Sequence, residues 1–524
     1  MNAMLPITSL PTQLQLQSYM KPGAQMTGDT RVLKAGDVML AYPMGNARQL
    51  SDNRPFIGHA LSLGAALVLY EPQGLSQVVS AEDLGLIEQD SRCIAVENLT
   101  EQAGVLAAYW YGQPSQAMQV IGVTGTNGKT TITQWVAQAL RAKQGKSAVM
   151  GTLGAGLLGA TQKTGFTTPD APRTHALLKD MLDQGATSVA IEVSSHALDQ
   201  GRVNGVEFDV VVVSNLTQDH LDYHGDMQEY ANAKKKILHL PHVKHIIINA
   251  DDNFGQVCLA ELAKNIEPET TVWAYATQAE KLLSLPCYAA GKMRKILAED
   301  IHLAHQGMTF NWRLDGQVGG PIKTQMIGLF NVSNALAVMA TLLANGCAAT
   351  ELTSLIEQLK PVMGRMELVS GKAQHSPMAI VDFAHTPDAL EQTLKTLRVI
   401  AKERSGQLWC IFGCGGDRDP SKRPVMGGIA ERLSDHVMVT SDNPRSEDPQ
   451  KIISEVVNGC EAPEQVQTNS DRATAILQVI RQAKEQDVVL VAGKGHEDTQ
   501  EIAGKRHAFS DQLHLQIAMG GAAV

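Results

Sequence analysis

The residues Gly125-Thr126-Asn127-Gly128-Lys129-Thr130-Thr131 follow a short apolar run from Val120 and precede a helical pattern with Ile132, Trp135, Val136 and Leu140 on one face. Strand, glycine loop and helix start, in that order, make a cradle for a polyphosphate. The glycines turn backbone N–H groups inward, the helix start adds its dipole, Lys129 meets the terminal phosphates and Thr130 reaches Mg2+. The strict pattern has a glycine five residues before Gly128; Val123 stands there, so Gly125 is expected to make the tight turn. A chance Gly-Lys-Thr in a surface loop would lack these flanks. The chain is expected to handle a nucleoside triphosphate.

A second set of residues has the chemistry of a cation site. Glu192 ends one apolar run, and His220 lies in Asn215-Leu-Thr-Gln-Asp-His-Leu-Asp222 just after the next. A carboxylate and an imidazole from neighbouring strand ends suit a second Mg2+ beside the phosphates, although each alone also reads as an ordinary surface or core residue. Further on, helical spacing puts Lys234 on the face of Tyr230, Ile237 and Leu238, whereas Lys235 and Lys236 rotate away from it. Lys234 is therefore expected to be the partly buried member of the triplet.

These residues need elements to position them. Strands are expected near 36–41, 188–193, 208–213, 245–248, 378–383, 408–412, 436–439 and 488–491, alternating with helical patterns, which implies parallel sheets covered on both faces. Most unusual polar clusters begin where such a strand ends: Gly125, Ser194 to His196, Asn215, Asn249 to Asp252, His385, Gly413 to Arg418, Ser441 to Arg445 and Gly493 to Glu497. Open α/β sheets bind ligands outside the carboxyl ends of their strands. Two such edges imply a substrate cleft between two domains. Residues 1–115 form a mixed segment, and Tyr111 to Ser115 reads as a linker.

With 524 residues, 44% hydrophobic and 19% charged, the composition is that of a globular chain with several cores. A net charge of −10 argues against a nucleic-acid binder. Seven scattered cysteines form neither a metal-ligand spacing nor a disulfide framework, which suits a reducing cytoplasm. The sequence presents no export segment and no apolar run long enough for a transmembrane helix.

The motifs together resemble the Mur ligases, ATP-dependent amide-bond formers of peptidoglycan synthesis. The match rests on Gly125 to Thr131, Glu192-Val-Ser-Ser195, Asp219-His-Leu-Asp222, Ala233-Lys234, Gly328-Leu-Phe-Asn-Val-Ser-Asn334, Gly364-Arg-Met-Glu367 and Asp382-Phe-Ala-His-Thr-Pro387. In the last third, Gly413-Cys-Gly-Gly-Asp-Arg418, Asp442-Asn-Pro-Arg445 and Gly493-Lys-Gly-His-Glu497 resemble the member that adds meso-diaminopimelate to UDP-N-acetylmuramoyl-L-alanyl-D-glutamate. The resemblance implies an α/β fold of three domains. These are a uridine-nucleotide domain over 1–115, a central P-loop ATPase domain with a parallel sheet over 116–362, and a C-terminal Rossmann-like domain over 363–524.

It also implies roles. Lys234 matches a carbamylated lysine, in which CO2 turns a cation into a carboxylate-like Mg2+ ligand beside Glu192, His220 and Thr130. Asn331, Asn334, Arg365, Asp382 and His385 match positions around ATP. Thr167, Thr168, Ser194, Gln200 and Arg202 match residues that grip the nucleotide-linked dipeptide, with Thr30 as a uridine contact. Arg418, Asp442, Asn443, Pro444, Arg445, Gly493 and Glu497 match the diaminopimelate pocket, where the arginines would fork a remote carboxylate and Glu497 would hold the ammonium beside it. The sequence departs from the family at Phe383 and Thr499, where tyrosine is frequent, and at Phe166, where some members carry asparagine. A cytoplasmic monomer is expected. The alternatives are the L-lysine-adding member, a folylpolyglutamate-type ligase and a non-catalytic nucleotide-binding regulator.

Overall fold

A computed structural model describes residues 12–289, 291–304, 307–372 and 375–520; residues 1–11, on which the expectation of no export segment partly rests, lie outside the described residues. The protein is α/β, with three main sheets of four, ten and six strands. Its contacts divide it into two compact units, one of residues 1–124, 143–211 and 231–244, the other of 125–142, 212–230 and 245–524.

The first unit holds the four-stranded parallel sheet, in the order Met26–Thr27, Val38–Ala41, Leu67–Tyr70 and Cys93–Ala95. Side chains of a strand alternate between faces. Val38, Leu40, Leu67 and Leu69 accordingly pack with Leu99, Leu106 and Trp110, while Met39, Ala41 and Val68 pack with Ile57, Leu61 and Ile87. Burial of such a side chain contributes about 1.5–3 kcal/mol. The run Tyr111 to Ser115 is not an open linker. The Tyr111 hydroxyl accepts from Met26 N at 3.0 Å, and Pro114 and Ser115 are buried in a 3-10 turn, so apolar and hydrogen-bonded packing overrides the turn-rich composition.

The same unit contains the strands Gln119–Thr124, Ser188–Glu192, Ser147–Gly151 and Gly154–Leu157, in that order. The first three are parallel and the last is antiparallel. Glu192 and Gly151 thereby come to the carboxyl ends of neighbouring strands.

In the second unit His245–Asn249, Thr271–Ala276 and Met293–Ala304 are parallel, but Gly307–Leu314 and Gln317–Thr324 then add as antiparallel strands. The parallel sheet expected from the sequence is thus extended at this end by an antiparallel hairpin. Leu314 pairs with Gln317 across Asp315-Gly316, whose φ values of 49° and 85° are those of a tight hairpin turn. The Asp-Gly dipeptide between two runs of half-buried strand residues carried that signal.

The six-stranded sheet runs Glu367–Val369, Met378–Asp382, Val488–Ala492, Leu408–Phe412, His436–Thr440 and Gln467–Asn469, parallel except for the first strand. One face buries Ile380, Cys410, Phe412 and Leu490 against Leu390, Leu394 and Met426. The other buries Val381, Ile411 and Val489 against Ile476, Val479 and Leu515. The polar segments after Asp382, Phe412, Thr440 and Ala492 therefore emerge along one edge.

Candidate active site

The glycine loop joins the strand Gln119–Thr124 to the helix Lys129–Gln144. Gly125 has φ 149°, and a Cβ there would lie 1.9 Å from Ser214 Oγ, so only glycine fits this turn. Thr126 N donates to Asn215 O at 3.0 Å and Asn127 N to Asn215 Oδ1 at 2.8 Å, which ties the loop to the segment after Val213. Lys129 Nζ donates to the carbonyls of Gly125 and Thr126, both at 2.8 Å, and so holds its ammonium over the loop mouth. Thr130 and Thr131 are buried at the helix start, and Thr130 Oγ1 accepts from Arg365 Nη2 at 3.0 Å. The Arg365 guanidinium lies over the Phe383 ring, 4.2 Å from its centre, so phenylalanine here serves as a stacking face that needs no hydroxyl.

Asn331 and Asn334 share the helix Leu329–Ala344; Asn334 Nδ2 donates to Asn331 Oδ1 at 3.0 Å, and Asn331 Nδ2 to Ile327 O at 2.8 Å. Asn331 and Arg365 line a small cleft with Thr131, Trp135, Ile327, Pro361, Val362 and Met366. Burial pushes Asp382 above the ordinary carboxylate range, against the pull of Met366 N–H and Arg365. His385 Nδ1 donates to Phe383 O at 2.8 Å, leaving Nε2 3.8 Å from Asp219. His220 Nε2 lies 3.3 Å from the same carboxylate. Burial works against ionisation of Asp219, yet His220, His385 and Lys422 beside it hold its carboxyl well below the usual range. His220 itself has φ 55°, a left-handed backbone that a non-glycine residue keeps only where its surroundings fix it.

In the first unit Glu192 is 1% exposed, and its carboxylate accepts from Thr152 N at 2.9 Å and Thr152 Oγ1 at 3.1 Å. Thr168 Oγ1 donates to Glu192 O at 2.6 Å and accepts from Ser194 N at 3.1 Å. Ser194 caps the helix Ser195–Asp199 through Ala197 N. Arg202 donates to Thr168 O at 2.9 Å and grips Gln200 Oε1 at 2.9 and 2.6 Å, while Thr167 Oγ1 meets Thr152 Oγ1 at 3.2 Å. Thr167, Thr168, Ser194, Gln200 and Arg202 thus belong to one network. Thr30 stands outside it among the described residues, in the turn where Asp29 pairs with Arg31. Lys234 is 1% exposed, with Tyr230, Ile237 and Leu238 also buried, Lys235 half-buried and Lys236 exposed; the α-helix ends at Lys235 and a 3-10 turn carries Ile237 and Leu238.

The residues expected to form the amino-acid pocket come together at the edge of the six-stranded sheet. Arg445 Nη1 donates to Gly416 O at 2.6 Å, and a Cβ on Gly415 would lie 3.0 Å from Arg445 Nη1 and 3.8 Å from Arg418 Cγ. The two arginines therefore flank Gly415, Arg418 exposed and Arg445 half-buried. Asn443 Nδ2 donates to Glu497 Oε2 at 2.8 Å. Lys494, fully buried, donates to Glu497 Oε2 at 2.7 Å and Asn443 Oδ1 at 3.1 Å. Glu497 stays below the usual range because Lys494 outweighs its burial. Pro444 is buried, and Gly493, with φ 112°, leaves room for Asp442, whose Oδ2 would be 2.4 Å from a Cβ there. Burial raises Asp442 despite Lys494 and Arg472 nearby.

Residues 123–342 match the model of the Mur ligase middle domain, and 364–495 that of the Mur ligase glutamate ligase domain. The UDP-N-acetylmuramoyl-L-alanyl-D-glutamate–2,6-diaminopimelate ligase of Ralstonia nicotianae is 47% identical over 97% of this chain and 95% of its own. The chain belongs to the Mur ligase family. The ligase of the same name from Pseudomonas putida is 42% identical over 94% of both chains. A solved structure of a ligase of that name aligns with a TM-score of 0.62 at 32% identity over 94% of both chains. MurF from Acinetobacter baumannii, at 17% identity and a TM-score of 0.60 over 91% of this chain and 94% of its own, shares the fold.

Sequence reading of this Mur ligase passed over several residues that the structure puts beside the motifs. Lys494 lies inside a motif but was not read as the cation that fixes Glu497. Arg423 is 1% exposed and bonds Glu447 and Glu455. Asp170 caps the helix Ala171–Asp183, and burial raises its pKa against the pull of Arg173 and Arg202. The aspartate before Ala171-Pro172 was the available signal. Among the described residues, no three His, Cys, Asp or Glu side chains are grouped to hold a metal.

Proposed function

We propose that this Mur ligase adds meso-diaminopimelate to the D-glutamate side-chain carboxylate of UDP-N-acetylmuramoyl-L-alanyl-D-glutamate, with ATP converted to ADP and phosphate. The reading takes 1–115 as the uridine-nucleotide domain, 116–362 as the ATPase domain and 363–524 as the amino-acid domain. The observation that carries it is the pair Arg418 and Arg445 around Gly415, near the Asn443–Glu497–Lys494 cluster. Meso-diaminopimelate differs from lysine by one carboxylate, and a guanidinium meets a carboxylate through two parallel hydrogen bonds.

The chemistry follows from what a carboxylate lacks. Oxide cannot leave, so the γ-phosphoryl group of ATP is transferred to the glutamate carboxylate, giving an acyl phosphate and ADP. The amine of diaminopimelate attacks the acyl carbon, a C–N bond forms, phosphate departs and the amine loses a proton. Lys129 neutralises the phosphates as two anions approach, and Arg365, bonded to Thr130, adds a second positive charge at the helix start. Thr167, Thr168, Ser194, Gln200 and Arg202 orient the dipeptide, and Thr30 contacts the uridine. Glu192, His220, Thr130 and a carbamate on Lys234 would hold Mg2+, which supplies charge neutralisation between donor and acceptor oxygens. Lys234 is 1% exposed, so a carbamate on it would be shielded from bulk water. No helix among the described residues is long and apolar enough to cross a membrane. Its seven cysteines are free, which suits a reducing cytoplasm, and we take the enzyme as a cytoplasmic monomer.

Mass detection of the amide product from purified protein, ATP, Mg2+ and both substrates tests the reading. Product at the mass of the tripeptide is expected. ATP hydrolysis with no amide product would indicate the regulator instead.

A further inference from the structure

The arginines that flank Gly415 sit on two separate loops, after Phe412 and after Thr440, and each loop carries backbone in a region that side chains seldom adopt: Asp417 and Arg445 both have φ 52°. Such conformations persist only where neighbours over-determine them. The neighbours here form a closed set. Glu447 Oε1 accepts from Asp417 N at 2.6 Å, and Asp417 Oδ1 accepts from Ser446 Oγ at 2.6 Å. Gly416 N donates to Asn443 O at 2.9 Å. Beneath them Arg423, on the helix Lys422–Leu433 and 1% exposed, donates to both Glu447 oxygens, at 2.8 and 3.0 Å, and to Gly415 O at 3.1 Å. Arg423 thus touches the backbone of one loop and the side chain of the other, and its remaining nitrogen contact is Glu455 on the helix Pro449–Val457.

We infer that Arg423 and Glu447 are positioning residues for amino-acid selection: they brace the two loops so that Arg418 and Arg445 hold a fixed separation, matched to one carboxylate. The inference rests on the diaminopimelate reading above. Neither residue is assigned to the pocket by its motif, and Arg423 is too buried to meet a substrate. An unbraced pocket would still present two cations, but with a spread of separations, so the two-point grip on the carboxylate weakens while the phosphoryl chemistry, which uses other residues, continues. Arg423 holds Glu447 ionised, at a pKa of about 2, so the brace stays charged throughout the neutral range.

Glu447→Gln is the informative variant. It keeps the shape, but its amide NH2 cannot accept, so one of the three donors now facing the carboxylate loses its partner. The expected result is a rise of about tenfold in KM for diaminopimelate, with kcat within about twofold, KM for ATP unchanged and the preference over L-lysine reduced by a similar factor. Glu455→Gln alters an even closer partner of Arg423 that is bonded to neither arginine loop; it should leave both KM and preference at the parent values. If Glu447→Gln no longer melts cooperatively, Ser446→Ala, at an exposed position, carries the same test with a KM rise of about threefold. Equal effects of Glu447→Gln and Glu455→Gln would show a merely structural role, and unchanged KM and preference in Glu447→Gln or Ser446→Ala would overturn the brace. A parent enzyme that uses lysine as readily as diaminopimelate would instead overturn the reading on which the brace rests.

Discussion

The phosphate loop and the proposed amino-acid pocket would solve the same problem, the placement of cations for an anionic ligand, in opposite ways. Lys129 is held by carbonyls three and four residues away, so its ammonium is placed by the loop itself, while the loop backbone is tied to Asn215. Arg418 and Arg445 lie 27 residues apart, and Arg445 is held by a carbonyl from the other loop, with Arg423 and Glu447 beneath both. A local device tolerates change elsewhere; an assembled one depends on residues outside its motifs. Chemistry common to a family suits the first, and selection of one substrate suits the second.

The comparison is broken most forcefully at its local end. Lys129→Ala should lower kcat by about 10²–10³-fold, the scale of one preorganised charge stabiliser, with diaminopimelate KM little changed. Acyl-phosphate formation measured in a rapid quench checks this, and a rate within threefold of the parent would place the phosphates elsewhere. Lys234→Ala should lose ligation by about 10²-fold or more while the fold persists. A carbamate resonance from 13C-bicarbonate, present in the parent and absent from the variant, reports the modification independently of activity. Its absence from an active parent removes Lys234 from the cation site.

At the assembled end, Arg445→Ala should act on selection rather than on phosphoryl transfer. The preference for diaminopimelate over lysine should fall by about 10²-fold with kcat for ATP-dependent acyl-phosphate formation preserved. An unchanged preference would move the selector away from this loop. The smallest effect at neutral pH concerns His175, which belongs to neither region. Burial holds its pKa at about 4, below its usual 6.5, although Nε2 meets Asn204 O at 2.9 Å. The unfolded chain binds that proton as pH falls through 6.5 and the native protein does not until about 4. Stability is therefore full above 6.5 and declines by up to about 3 kcal/mol as pH falls to 4. His175→Gln should flatten that part of the melting profile, which separates acid unfolding from any titration in the pocket.

Much of this division was legible in the sequence. The strand, glycines, lysine and threonines of the phosphate loop are contiguous, and the five-residue apolar runs of the parallel sheets are hard to mistake. Lys234 declared its burial through the spacing of Tyr230, Ile237 and Leu238. The hairpin at Asp315-Gly316 was available but overlooked, because its strands are half-exposed and lack a continuous apolar run. Arg423 and Glu447 gave no such signal. Their meaning lies in contacts between segments 24 residues apart in sequence, and no period or motif in a single chain encodes which buried arginine will find which carboxylate. Lys494 was similarly silent: only its full burial beside Glu497 distinguishes it from a surface lysine.

The central claim is that two arginines on separate loops select the amino acid through its remote carboxylate. A single competition, with meso-diaminopimelate and L-lysine offered together to the parent enzyme and the two amide products resolved by mass, tests it most directly. The expected ratio of kcat/KM is on the order of 10³ or greater in favour of diaminopimelate, because lysine would leave the guanidinium pair without its anion. A ratio below about ten would contradict the account, since an unpaired arginine fork cannot be that indifferent to the loss of its carboxylate.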